Sequence, residues 1–300
     1  MKFSGLEGLR GIMCLWVIAS HTVTLAGFEI YKNSGLGKLI ANAGIAVDVF
    51  VILSGFVICL ILSKQRENYL PFITRRAFRL FPIYLICLII SILIVDISIA
   101  ALQQMPIEHP KSLRRLEIFA NYQNSPAYHI GFHSLLLHGV VPDNFLPDTA
   151  FTIMGQAWSL TLELQFYLLA PLIIALLSKS FVRFAALILF LLLVQDHIKE
   201  FMGHRSFFFA YTHYFIIGIL SYYFYEELIE KTNNFKRLTF NTIMMFSIAL
   251  FYIIFTKSLL GALGLLIWAY CYYSEVFEGR GDSKVGVLLM TPYNVFVRNK

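Results

Sequence analysis

An all-α fold, threaded through a membrane by about eight helices, is what this 300-residue chain predicts. Three observations carry that expectation. Hydrophobic residues make up 58% of the chain and charged ones only 14%, where a soluble domain is about a quarter charged. Apolar runs long enough to cross a bilayer recur from one end to the other, giving a mean hydropathy of +0.70. Lys and Arg gather in short loops beside those runs, as the positive-inside rule expects. The net charge of +6 is therefore read as topology, and no nucleic-acid partner is expected. The alternating apolar strands of an outer-membrane barrel are absent.

Taken in order, the first span is expected over 8–28. It is a retained helix rather than a signal peptide, because Glu7 and Arg10 precede a long segment that contains His21. A polar loop with Glu29, Lys32 and Lys38 leads to a second span at 39–63. The basic connection Lys64, Arg66, Arg75, Arg76 and Arg79 places that side, and the N-terminus, in the cytoplasm. A third span follows at 80–102, with Pro82 in its first turn, where a missing N–H is harmless. Residues 103–155 carry Pro106, Pro110, Pro126, Pro142 and Pro147 and hold no span; the apolar piece 130–141 is too short to cross and is expected to be re-entrant or superficial. Spans at 156–178, 181–195, 206–225, 238–256 and 258–274 complete the set. Both termini then lie in the cytoplasm, and the basic loops 64–79, 179–183 and 231–237 share that face. One membrane domain, 1–275, and a short cytoplasmic tail, 276–300, are the expected organisation. Cys14, Cys59, Cys87 and Cys271 all fall in apolar runs without paired spacing and read as small core residues.

Ionisable groups inside spans mark candidate chemistry, because burying them in hydrocarbon is costly. Arg10 and His21 are eleven residues apart, on one helical face and roughly 16 Å from each other. At about 1.5 Å per residue, His21, Asp48 and Glu163 each reach about 18–20 Å from the cytoplasmic edge, on three different spans. A carboxylate near an imidazole fixes its tautomer and stabilises its cation, as a general base requires. The blander alternative is that each group pairs locally to hold helices together. Gly44, Asp48 and Gly55 share a face whose small residues admit another backbone. Ser159, Glu163 and Tyr167 form a polar stripe at i, i+4 spacing, and Gln156 and Trp158 stand at its mouth. Trp158 is either a substrate contact or an interfacial anchor. Arg75, Arg76 and Arg79 suit phosphate recognition, although topology alone also explains them. His129, His133 and His138 lack a tight ligand spacing and an accompanying thiolate or carboxylate pair, so no metal is expected there.

These pieces together resemble the acyltransferase-3 family of integral-membrane acyltransferases. The matching stretches are Gly5-Leu6-Glu7-Gly8-Leu9-Arg10-Gly11 with His21, Gly44 to Phe56, Phe72 to Tyr84 and Ala157 to Tyr167, four motifs in order over most of residues 4–170. The resemblance implies transfer of an acyl group, commonly acetyl, from cytoplasmic acyl-CoA to a sugar hydroxyl on a surface glycan or lipid-linked precursor; antibiotics and lipids are further family acceptors. It implies His21 as catalytic base with Arg10 as its motif partner, and Arg10, Arg75, Arg76 and Arg79 on the acyl-CoA side. Glu163 falls in the catalytic or acceptor region, where Trp158, Ser159 and Tyr167 are the expected substrate contacts. Asp48 joins the catalytic set from the depth count. The expected donor is thus acyl-CoA, with no metal expected, and the expected setting is a multi-pass protein of the inner (plasma) membrane; membrane lipid is a further expected partner, and the oligomeric state is open. The family usually has about ten spans, so a C-terminally shortened member is expected. Two other readings stay open: a proton-coupled transporter or flippase of an envelope precursor, and an inactive relative.

Overall fold

The computed structural model describes residues 4–25, 35–65, 68–104, 110–179, 181–230 and 259–277. Every regular element among them is helical: α1 (Ser4–Leu25), α2 (Gly35–Ile40), α3 (Ala43–Gln65), α4 (Tyr69–Leu93), α5 (Val95–Gln103), α6 (Pro110–Asn124), α7 (Pro126–Ser134), α8 (Trp158–Lys179), α9 (Phe181–Met202), α10 (Thr212–Glu230) and α11 (Leu259–Phe277). The all-α membrane architecture expected from composition is what the chain adopts. Three stretches among the described residues, Ala43–Lys64, Tyr69–Leu93 and Gly155–Leu176, are long and apolar enough to cross a bilayer. α1, α9, α10 and α11 run for 22, 22, 19 and 19 residues, as spans would. The span expected at 238–256 lies outside the described residues.

Boundaries moved where polar residues stand inside helices. The second expected span breaks at Ala41–Asn42, where the Asn42 side-chain oxygen accepts the Gly44 N–H at 3.2 Å and caps α3. The basic connection is largely helical: α4 begins at Tyr69, not Leu80. Pro71 falls at its third position, where no N–H is needed, and arginine is a good helix former. Pro82 therefore lies in the helix interior rather than its first turn. α9 continues through the expected polar loop to Met202. Between the spans, Pro110 and Pro126 each open a helix, the position their fixed φ favours. The short apolar piece 130–141 does not cross anything; it is the end of α7 followed by turns.

The chain forms two compact units, one from residues 1–57 and 214–300, the other from 58–213. In the first, α1 packs against α2 and α11. Trp16 Nε1 donates to the carbonyls of Leu39 and Ile40, both at 3.2 Å, and Ser20 to that of Ala41 at 2.9 Å, so α1 satisfies the open carbonyl end of α2. Phe56 is fully buried, with Tyr222, Tyr225, Trp268 and Tyr272 each edge-on at about 6 Å. Trp268 and Tyr272 spend their polar ends on Ser221, Nε1 to its hydroxyl at 3.1 Å and OH to its carbonyl at 2.7 Å. Gly55 and Gly218 let α3 and α10 touch backbone to backbone. A Cβ at Gly55 would stand 2.3 Å from the Phe215 carbonyl oxygen, and one at Gly218 would stand 2.0 Å from that of Ile52.

In the second unit α8 is the organising helix, packed against α4 and α9. Tyr84, Leu88, Val95, Phe119, Tyr122, Leu136, Ile153, Met154, Ala157 and Leu164 form its core. α4 buries one narrow stripe, Phe72, Arg76, Tyr84 and Leu88, and exposes Phe78, Ile83, Ile86, Ile90 and Leu93 around the rest. An apolar surface on all sides is what a helix shows when lipid replaces water as its outer solvent.

Candidate functional site

The sequence-derived candidates fall into both units, and the second holds the densest group. Glu163 and Tyr167 lie one turn apart on α8, and the Tyr167 hydroxyl donates to Glu163 Oε1. Arg76 of α4 closes over this pair. The residue is 9% exposed, and its guanidinium stands 5.8 Å from the ring centres of both Phe72 and Tyr167. That double ring contact places a cation against two π faces. Among the described residues, Arg76 Nε and Nη1 have no hydrogen-bond partner. Arg79, one turn further along α4, also acts electrostatically on Tyr167, whereas the side chains of Arg75 and Arg79 are themselves exposed. Three expected site residues from two sequence motifs, Arg76, Glu163 and Tyr167, thus meet, with Arg79 close enough to act on Tyr167 by its charge. The substrate contact expected of Tyr167 is not what this geometry presents: the side chain is 2% exposed and its hydroxyl is turned to Glu163.

At the start of α8, Trp158 is half-buried, with Tyr211 at 5.5 Å and the Arg205 guanidinium 5.9 Å from its ring centre. Ser159, the next residue, is half-buried. Gln165 pins this end to the turn after α9, giving Nε2 to the Ser206 carbonyl at 3.1 Å and taking the Phe208 N–H at 2.8 Å.

In the first unit, α1 is one continuous helix through Arg10 and His21, so the expected three-turn separation on one face holds. Arg10 is half-buried and His21 exposed. Asp48 is 9% exposed on α3 and accepts the Tyr214 hydroxyl at 2.8 Å. Among the described residues no hydrogen bond or ion pair joins His21 to Asp48. The Asp48–Tyr214 bond is the local helix-to-helix pairing weighed as the blander alternative.

A further polar cluster, built on the three histidines that the sequence groups without a metal-ligand spacing, fills the connection before α8. His129, His133 and His138 are fully buried, and the last two stack at 4.1 Å with rings 6° from parallel. Each ring turns Nε2 to a backbone carbonyl: His129 to Asn121 at 3.2 Å, His133 to Thr149 at 3.0 Å and His138 to Ala157 at 3.3 Å. A carbonyl only accepts, so each Nε2 carries the proton and each neutral ring is held in one tautomer. Thr152 bridges the first two, its hydroxyl 3.1 Å from His133 Nε2 and 3.3 Å from His129 Nδ1. Burial holds all three below the ordinary histidine range, His138 at about 4 and His133 well below. Among the described residues no three His, Cys, Asp or Glu side chains converge as metal ligands would.

Two arginines of α6 tie down the adjoining loop. Arg114 pairs with Asp148, which also takes the Asn121 amide at 2.8 Å, and Arg115 donates to the carbonyls of Phe151 and Thr152. Arg115 also lies 4.3 Å over the Phe119 ring. The available signal was a pair of basic residues in a non-spanning segment followed by Asp148, too common a pattern to stand out.

Compared with known proteins, residues 3–280 match a family model described as an acyltransferase domain. The chain is 25% identical over 197 residues to the regulator of hypoxia-inducible factor 1 of Caenorhabditis elegans, covering 59% of this chain and 35% of that protein. It is 26% identical over 184 residues to the O-acetyltransferase OatA of Staphylococcus aureus, covering 59% of this chain and 25% of that protein. The chain thus spans about a third and a quarter of the length of these two relatives. No solved structure matches.

Proposed function

Because the chain belongs to the acyltransferase-3 family, whose domain it matches over residues 3–280, we propose that it is a membrane O-acyltransferase. It moves an acyl group, acetyl in the first instance, from acyl-CoA to a hydroxyl of a surface glycan or lipid-linked sugar. The match to the family's domain over nearly the whole chain carries this reading, and similarity to an O-acetyltransferase supports the oxygen acceptor. The proposed setting is the inner membrane with both termini cytoplasmic.

The residues fit such chemistry in the following roles. His21 is the base that takes the proton of the acceptor hydroxyl, so that the oxygen can attack the thioester carbonyl and release CoA thiol. Arg10 shares its helical face and neutralises negative charge at the donor end. Arg75 and Arg79, exposed on α4, offer planar donors to the phosphates of CoA. Glu163 is the carboxylate of the acceptor region, with Trp158 and Ser159 at the start of the same helix to contact the sugar. Asp48 stands in this scheme as a buried carboxylate tied to Tyr214.

The test is mass analysis of surface glycans from cells with and without the gene, looking for loss of an acetyl mass, together with acetyl transfer by the purified protein. His21→Ala should abolish transfer while the protein inserts and melts normally; undiminished turnover would remove His21 from the mechanism. Accumulation of an unmodified labelled precursor in proteoliposomes lacking acyl-CoA would replace the enzyme with a transporter.

A further inference from the structure

Arg76 differs from the arginines beside it. Arg75 and Arg79 are exposed, whereas Arg76 is turned inward between Phe72 and Tyr167. A buried guanidinium is normally held by a carboxylate, because the desolvation penalty is otherwise uncompensated. Among the described residues, Nε and Nη1 of Arg76 have no hydrogen-bond partner, and no salt bridge claims the group. Its charge is therefore not cancelled by a direct ion pair, and it is directed at the ring whose hydroxyl holds Glu163. The groups that act on Tyr167 electrostatically are Glu163, Arg79 and Arg76.

From this arrangement we propose that Tyr167, backed by Arg76, is a positioning residue that fixes the Glu163 carboxylate through Oε1 and leaves Oε2 to meet a ligand hydroxyl. Arg76 thereby leaves the set of residues that touch the acyl donor and joins the support of the acceptor side. A phenol O–H polarised by a neighbouring cation is a stronger donor, and a hydrogen bond to a charged acceptor is about twice as strong as a neutral one. Glu163 and Tyr167 are one helical turn apart, so the bond also fixes the carboxylate rotamer without help from another element. α4 contributes what α8 cannot supply itself, which is the positive charge. The idea rests on the acyltransferase reading only for what Glu163 does, not for how it is held.

Tyr167→Phe removes one oxygen and keeps the ring against Arg76. With radiolabelled acetyl-CoA as donor and total envelope glycan extracted from cells lacking the gene as acceptor, kcat should fall about 10- to 100-fold, the value of one charged hydrogen bond. KM for acetyl-CoA should stay within about twofold, since the donor's phosphates are held elsewhere. Arg76→Gln should lower kcat in the same way, and Arg76→Lys, which keeps the charge, should recover part of the loss.

The second readout is independent of turnover. The infrared carboxylate stretch of Glu163, isolated as the difference between wild type and Glu163→Gln, should shift in Tyr167→Phe. An unshifted band would overturn the proposal whatever the kinetics, and so would a rise in KM for acetyl-CoA with kcat retained. If wild type transfers no acetyl group, the acyltransferase reading falls, and the band alone decides whether Tyr167 holds Glu163.

Discussion

Acidification should loosen the connection before α8, and the size of the effect follows from the histidine stack. His138 is fully buried with its pKa pushed down to about 4, chiefly by desolvation, and His133 is held well below the ordinary value with the His138 ring against it. Two stacked rings 4.1 Å apart cannot both be cations without strong repulsion. The sign follows from which state takes the proton. Once the segment opens, its histidines bind protons near pH 6.5, while the packed form stays neutral to lower pH, so stability is complete above 6.5 and falls as pH drops toward 4. For His138 alone, a pKa of about 4 against 6.5 in the opened segment corresponds to about 3 kcal/mol, of which about 2 kcal/mol is already lost at pH 5. The assay is amide hydrogen exchange by mass spectrometry on the detergent-purified protein, following peptides within 129–157 and normalising for the intrinsic pH dependence of exchange. Protection there should fall at least about 30-fold between pH 7.5 and pH 5, the share of His138 alone, with His133 and His129 adding to it. In His138→Phe the stack keeps a ring but loses one titrating group, so the drop should be clearly smaller, with about 1 kcal/mol lost at neutral pH from the missing bond to Ala157. Equal drops in variant and wild type would refute the assignment of the effect to this ring.

Other perturbations test the remaining joints. Gly218→Ala places a methyl group 2.0 Å from the Ile52 carbonyl oxygen, a backbone atom that cannot step aside, and should lower stability in detergent by several kcal/mol; a melting temperature within a degree of wild type would mean that α3 and α10 are not in backbone contact. Tyr214→Phe removes the hydroxyl bound to buried Asp48 and should destabilise by about 1–3 kcal/mol, read as a shift in melting temperature. If Asp48 serves structure alone, Asp48→Asn should retain transfer activity, so measuring both variants separates the two roles. Arg75→Ala with Arg79→Ala should weaken acetyl-CoA binding at least about 10-fold by titration calorimetry, and unchanged affinity would leave those arginines with topology only.

How much of this is legible in the sequence depends on the range of the interaction. The helical membrane class follows from composition, and the Glu163–Tyr167 contact from i, i+4 spacing, because both are local properties of the chain. Gly55 could be read as a packing position, since a small residue on an apolar face admits a backbone wherever it comes from. The start of α4 could not. Arg75, Arg76 and Arg79 read as a loop on charge alone, yet arginine is helix-compatible and Pro71 stands where a helix tolerates it. Nor could the inward turn of Arg76, because Arg75, Arg76 and Arg79 carry the same charge and only their angle around the helix axis distinguishes them. The histidine stack needs a chain reversal between His133 and His138, made by Leu136 at a φ of 56° with its side chain fully buried. That conformation is rare for a branched apolar residue, so no local pattern announces it.

α8 links these two findings within its unit. Its N-terminal end is held from the connection side: the Ala157 carbonyl faces His138 at 3.3 Å, and the Thr161 hydroxyl donates to the Leu136 carbonyl at 2.7 Å. Gly139 lies so close that a Cβ there would stand 2.4 Å from the Thr161 methyl group. Glu163 follows two residues after Thr161, and its carboxylate is fixed by Tyr167 under Arg76. Whatever loosens the stack therefore removes the connection-side hold on the first turns of the helix that carries Glu163, while the Gln165 bonds to Ser206 and Phe208 and the Tyr167 bond are left intact. Acid sensitivity and the placement of Glu163 become separable properties of one helix. Loss at low pH belongs to its N-terminal anchorage and follows His138, whereas loss at neutral pH on removing one hydroxyl belongs to Tyr167. Separate holds on the backbone and on the carboxylate are the arrangement expected if the position of Glu163 along the helix axis and the direction of its carboxylate both matter, since the anchorage fixes the first and the Tyr167 bond the second.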